Sequence, residues 1–111
     1  NVGIVCATPL ETGLLATGPS QIPQGARRNF SPECIAQVGK IEALCNQYDI
    51  PLLAVSLQWC SRHPQVATAI PGAKTPDEAI ANAKAGEIEI PDAFWNDLAP
   101  LVRHWEHVVQ L

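Results

Sequence analysis

Methionine is absent from all 111 residues, although a complete translation product begins with one. Asn1 is a poor residue to be left after methionine removal, and the chain opens at once on the strand-like run "VGIVCA". The expectation is a piece of a longer polypeptide. Charge is scarce too. Asp, Glu, Lys and Arg make up 16% of the chain, against roughly a quarter in a typical soluble domain. The net charge of −4 leaves no basic footprint and excludes nucleic acid as an expected partner. No apolar run approaches the roughly 20 residues of a membrane span, and no basic segment leads into an apolar one as in a signal peptide. Neither membrane nor secretion is expected.

The four cysteines, Cys6, Cys34, Cys45 and Cys60, lie 28, 11 and 15 residues apart. That spacing contains no CxxC pair and no metal-ligand pattern, so the expectation is no metal and a reducing, cytoplasmic setting. What is present is apolar residues, at 47%. A single chain of this length can bury a real but modest core.

Residues 2–7 read as a short strand apolar on both sides, of the kind buried in parallel sheets. Residues 8–30 follow as a long Gly- and Pro-rich loop, and structureless loops of that size are functional or disordered. Ser31-Pro32-Glu33 then caps a helix with the stripe Cys34, Val38, Ile41, Cys45 and Tyr48. Pro51 starts a second helix, "PLLAVSLQWCSRH", which stops before Pro64. "QVATAI" is a second strand, rich in β-branched residues. After the link "EIEI", residues 91–110 read as a last helix kinked at Pro100. Its apolar side is Phe94, Trp95, Leu98, Leu101, Val102, Trp105 and Val109. Two strands separated by two helices point to a parallel pair with a right-handed crossover.

The stretch "AIPGAKTPDEAIANA", residues 69–83, carries the most chemistry. A strand breaks at Pro71-Gly72, and a helix opens with Thr75 as N-cap, Pro76 at the first position and Glu78 completing a capping box; Gly86 is the expected stop. Strand, Gly turn and helix N-terminus aim backbone N–H groups at one spot, as anion sites do. The competing reading is a well-capped helix with no ligand.

With "GIVCATPLETGLLATGP", "LAVSLQWCSRHPQVATAIPGAKTPDEAIANA" and "IEIPDAFWNDL", the sequence resembles the C-terminal part of an aldo-keto reductase. It is most similar to the branch of sugar (galactose, fucose, threo-aldose) dehydrogenases. The resemblance implies an α/β fold: a C-terminal fragment of a (β/α)8 TIM barrel, mainly helical, whose two short parallel strands are the last two of the barrel. Barrels often bind phosphate through the loops after those strands. It implies NAD or NADP as cofactor. Thr8, Pro9, Leu10, Gly13 and Leu14 match pyrophosphate and ribose contacts, while Gly72, Ala73, Lys74, Thr75, Glu78 and Asn82 match contacts at the adenosine end. Residues 8–30 become a substrate and cofactor loop, and 66–86 a cofactor-binding strand–turn–helix.

Each position has a plainer alternative. Thr8 could cap its loop, Asn82 could satisfy its own backbone, and Lys74 could be a solvated charge. Two departures stand out: Ala7 replaces an aromatic residue that stacks on nicotinamide, and Glu78 stands where many NADPH-dependent members carry Arg. The catalytic Asp, Tyr, Lys and His of the family have no counterparts here, so no catalytic residue is assigned and the chain alone is expected to be inactive. Tyr48 reads as core, and His63 as a helix-end cation. His104 and His107, three apart, lack a third metal ligand. Arg27 and Arg28 read as solvent-exposed charges, with a phosphate contact as the alternative.

In the parent, hydride would pass between the nicotinamide and a sugar or small carbonyl compound, the small-molecule partner. The fragment is expected to self-associate or to pair with the missing N-terminal half, since its strand edges, with Val2, Ile4, Cys6, Val66 and Ile70, face an interior it cannot close. Two rival readings are a non-catalytic nicotinamide-nucleotide-binding regulatory subunit and a small helical interaction module.

Overall fold

The computed structural model describes residues 2–21, 29–103 and 109–110. It is mainly helical, with two parallel strands at its centre. Strand β1 (Ile4–Ala7) and strand β3 (Val66–Ile70) pair in the register Ile4↔Val66, Val5↔Thr68, Cys6↔Ala69 and Ala7↔Ile70, with an irregularity after Ile4. Between them come α1 (Leu14–Thr17), α2 (Pro32–Gln47) and α3 (Leu52–Ser61); after them come α4 (Pro76–Ala85) and α5 (Asp92–Leu98). A two-residue antiparallel ladder joins β2 (Asn29–Phe30) to β4 (Val109–Gln110).

The helix starts follow their local signals. Ser31 Oγ accepts from the Cys34 N–H at 3.1 Å with Pro32 at the first position of α2, which satisfies one of the four donors a helix start leaves open. Helix α3 is apolar nearly all round, as a helix enclosed by other elements must be. Leu52, Ala54, Val55 and Leu57 of α3 pack with Cys45, Ile50, Ala85, Phe94 and Leu98 into the main core. Ile88 and Ile90, from the segment that reads as a mere link, pack against it. Phe94 is fully buried and meets the Tyr48 ring edge-on at 5.3 Å, a favoured aromatic geometry. A smaller cluster of Leu14, Cys34 and Val38 lies under α1.

Three expectations are corrected. Residues 8–30 are not one structureless loop: a 3-10 turn at Glu11–Gly13, α1 and a second 3-10 turn at Pro19–Gln21 occupy the first half. The last helix does not run over 91–110. It ends at Leu98, continues as a 3-10 turn through Leu101, and Val109–Gln110 is a strand. Pro100 explains the break, because it has no N–H for the helical ladder. Gly86 does stand as the C-cap of α4, where the sequence placed the stop, with an ordinary φ of −67°. Finally, Cys6 and Val66 are half-buried in a cleft they share with Trp59 and Cys60 of α3, while Ile4, at the same cleft, remains 47% exposed. The opposite face carries Val5 and Ile70, exposed by 56% and 53%. Alternation along a strand sends neighbours to opposite faces, and the period alone does not say which face is inside.

Arg27, Arg28, His104, Trp105 and His107 lie outside the described residues. Among the described residues no helix is long and apolar enough to cross a membrane.

Candidate functional site

Parallel pairing with Ala7 opposite Ile70 makes both strands end at the same edge of the sheet. The chain therefore leaves that edge twice, side by side, at Thr8 and at Pro71. Ligands of parallel α/β folds collect at this carboxyl edge of the strands. The two groups of residues singled out in the sequence, Thr8 to Leu14 and Gly72 to Asn82, are the two exits.

At the first exit Thr8 adopts φ = 54° and Glu11 φ = 46°. A left-handed β-branched residue is strained, and such strain persists only where the surroundings impose it. Here the chain turns at once into buried structure. Pro9 is buried, Leu10 packs on the main core, and the Leu10 carbonyl accepts from Gly13 N–H at 3.0 Å and from Leu15 N–H at 3.2 Å. Gly13, at φ = 106°, starts α1 where a side chain would be strained. Leu14 is only 2% exposed and packs on Cys34 and Val38. Thr8 is exposed at the edge, whereas Pro9 and Leu14 spend their side chains on packing.

The second exit is open. Gly72 to Glu78 are all exposed, and a Cβ built on Gly72 would meet nothing within 4 Å. The protein itself does not require glycine there; a ligand approaching the backbone would. Thr75 Oγ1 accepts from Glu78 N–H at 3.1 Å, and the Glu78 carboxylate accepts from Lys74 N–H at 2.6 Å. This is the capping box read in the sequence, shifted by one residue on its return bond. Asn82 Nδ2 donates to the Gly72 carbonyl at 3.3 Å and ties the turn to the second turn of α4. The turn is held from both sides, and its charges at the helix start are Lys74, Asp77 and Glu78.

Three positioning residues carry no motif. Ser56, buried in α3, donates to the Leu15 carbonyl at 2.7 Å and fixes α1 below the first exit. Gln58 donates to the carbonyls of Ala85 at 2.9 Å and Ile88 at 2.6 Å, holding the end of α4. Gln37 Nε2 donates to Leu101 O at 2.6 Å, which anchors the turn after α5. The available signal was a polar residue inside an otherwise apolar helical stripe, because buried polar groups need partners.

Tyr48, by contrast, serves packing. Its hydroxyl donates to Asp97 at 2.5 Å, and that hydrogen bond, then desolvation, then the Asp97 charge raise its pKa above the usual tyrosine value. Among the described residues, no three or more His, Cys, Asp and Glu side chains gather as a metal site would.

Comparison with known proteins places the chain in a family. The model of the Aldo/keto reductase family matches residues 1–103. The pyridoxal 4-dehydrogenase of Microbacterium luteolum is 29% identical over 102 residues, covering 87% of this chain and 28% of that protein. The D-threo-aldose 1-dehydrogenase of a Pseudomonas species is 30% identical over 98 residues, covering 87% of this chain and 30% of that protein. The chain thus spans less than a third of the length of these relatives.

Proposed function

The chain belongs to the aldo/keto reductase family, and on that premise we propose that it is the cofactor-binding C-terminal portion of an NAD(P)-dependent oxidoreductase. In this reading β1 and β3 are the seventh and eighth strands of a (β/α)8 barrel. The proposed substrate class is a sugar or a small carbonyl compound, in keeping with the aldose and the pyridoxal in the names of the two relatives. Missing strands would account for a parallel pair that has no further partner among the described residues, since parallel sheets are otherwise covered on both faces.

The observation that carries the reading is the second exit. Gly72 leaves open space beside the backbone, Asn82 braces the turn, and Thr75 orders the first turn of α4. These residues fit a nucleotide. Gly72 and Ala73 would let it approach the backbone, Lys74 would meet a phosphate, and Glu78 would accept from ribose hydroxyls. At the first exit Thr8 and the backbone of Leu10 to Gly13 would line the pyrophosphate, with Leu14 holding that turn from below. When bound, the nicotinamide supplies hydride acceptance or donation. The proton-handling residues would come from elsewhere in the barrel, so the 111-residue chain by itself is expected to give no turnover.

Titration of the full parent polypeptide with NAD and NADP, followed by calorimetry, tests the binding. Saturable binding weakened by Asn82→Ala supports the reading, and absence of binding by either nucleotide refutes it. Steady reduction of NAD with an aldose or with pyridoxal would then identify the substrate class.

A further inference from the structure

Of the four cysteines, the two farthest apart in sequence, Cys6 and Cys60, separated by 54 residues, are the two the fold brings together. Cys6 lies on β1 opposite Ala69, and Cys60 lies near the end of α3. Both are free, half-buried thiols. They line the same two clefts, one shared with Trp59, Arg62 and Val66 and the other with Leu14, Cys34 and Val55. Cys45, in contrast, is enclosed in the main core, 1% exposed. The clefts let a small oxidant reach the pair. We propose that Cys6 and Cys60 form a redox couple that hydroperoxides convert to a disulfide, tying β1 to the end of α3.

The step balances with hydroperoxide as the two-electron oxidant. One thiol, as thiolate, attacks a peroxide oxygen, breaking the O–O bond and leaving a sulfenic acid and water (or an alcohol from an alkyl hydroperoxide). The second thiol then displaces the sulfenic hydroxyl as water, and the S–S bond forms. The position matters because Cys6 precedes Thr8 by two residues, so the bridge would clamp the strand that leads into the first exit.

Burial, then the hydrogen bond with Cys6, pushes the Cys60 thiol up to about 11. The charged and titratable groups lining the two clefts are Arg62, His63, Glu11 and Arg103, with Cys34 as the third thiol. The attacking species is the thiolate, so the pair closes faster as the thiolate fraction grows.

The test is hydrogen peroxide treatment of the natively folded protein, alkylation of remaining thiols, and peptide mapping by mass spectrometry. The expected product is a dominant Cys6–Cys60 bridge, lost in both Cys6→Ser and Cys60→Ser and reversed by dithiothreitol. Its rate should rise with pH, following the thiolate fraction. In a disordered chain the shortest loop closes most readily, which here is Cys34 with Cys45, 11 residues apart. A dominant Cys34–Cys45 bridge, or sulfinic acid at Cys60 with no bridge, would overturn the proposal.

Discussion

Under the proposed function, Glu78 would set the preference of the site between the two nucleotides. Its carboxylate accepts from the Lys74 N–H at 2.6 Å, so a negative charge already sits at the start of α4. A helix N-terminus favours one anion, but a second one beside it meets like-charge repulsion. A 2′-phosphate placed there would be opposed by Glu78 and helped only by Lys74, whereas ribose hydroxyls could donate to the carboxylate. The parent enzyme should therefore prefer NAD to NADP, and Glu78→Arg should move the ratio of kcat/KM values toward NADP by on the order of tenfold. A wild-type enzyme already tenfold better with NADP would refute this.

Tyr48 gives a second prediction at the same scale. The Asp97 hydrogen bond, with lesser help from desolvation and the Asp97 charge, raises its pKa in the folded state. The folded protein then holds the tyrosine proton more tightly than the unfolded chain does. This contribution to stability is fully present below the unfolded value of about 10 and is lost as pH rises through the folded value. Denaturation midpoints of the parent protein measured above pH 9 should fall more steeply for wild type than for Tyr48→Phe. Parallel curves for the two would show that the pair contributes nothing.

Among the elements, α2, α3 and α4 were legible because their signals are local. Ser31 and Thr75 cap in the structure as their spacing implies, and Pro51 and Pro64 bracket α3. The capped turn at Gly72 was legible for the same reason. The short elements were not. Helix α1 has four residues, below what propensity alone sustains; it is held by Ser56 from α3 and by Leu14 in the small core. The β2–β4 ladder joins residues 29–30 to 109–110, a pairing no local pattern encodes. Which face of β1 is inside depends on α3, so the periodicity that found the strand could not orient it. Local and tertiary contributions should also separate by experiment. In the parent, Thr75→Ala removes one cap and should cost about 1 kcal/mol. Phe94→Ala empties a fully buried site and should cost about 3–5 kcal/mol. Equal costs in urea denaturation would mean that the Phe94 site collapses to fill the void.

For the whole molecule, the decisive feature is a two-stranded parallel sheet flanked mainly on one side. Cys6 and Val66 are half-buried on the face toward α3, where Ile4 is still 47% exposed, while Val5 and Ile70 stand more than half exposed on the other. Val2, just before β1, is 82% exposed as well. Strand edges without partners recruit other chains, and a contiguous apolar patch of several hundred Å² marks a surface made for contact. A two-stranded sheet also gains too little from its own packing to stand alone in water. The 111-residue chain expressed by itself should therefore self-associate through these edges, and adding the preceding part of the parent polypeptide should dissolve the aggregates into a defined complex. Analytical ultracentrifugation at micromolar concentration decides it. A sharp monomer of 11.9 kDa with cooperative unfolding would mean that the helices alone suffice. The open edges would then be tolerated, and the reading of this chain as a self-contained interaction module would displace the barrel.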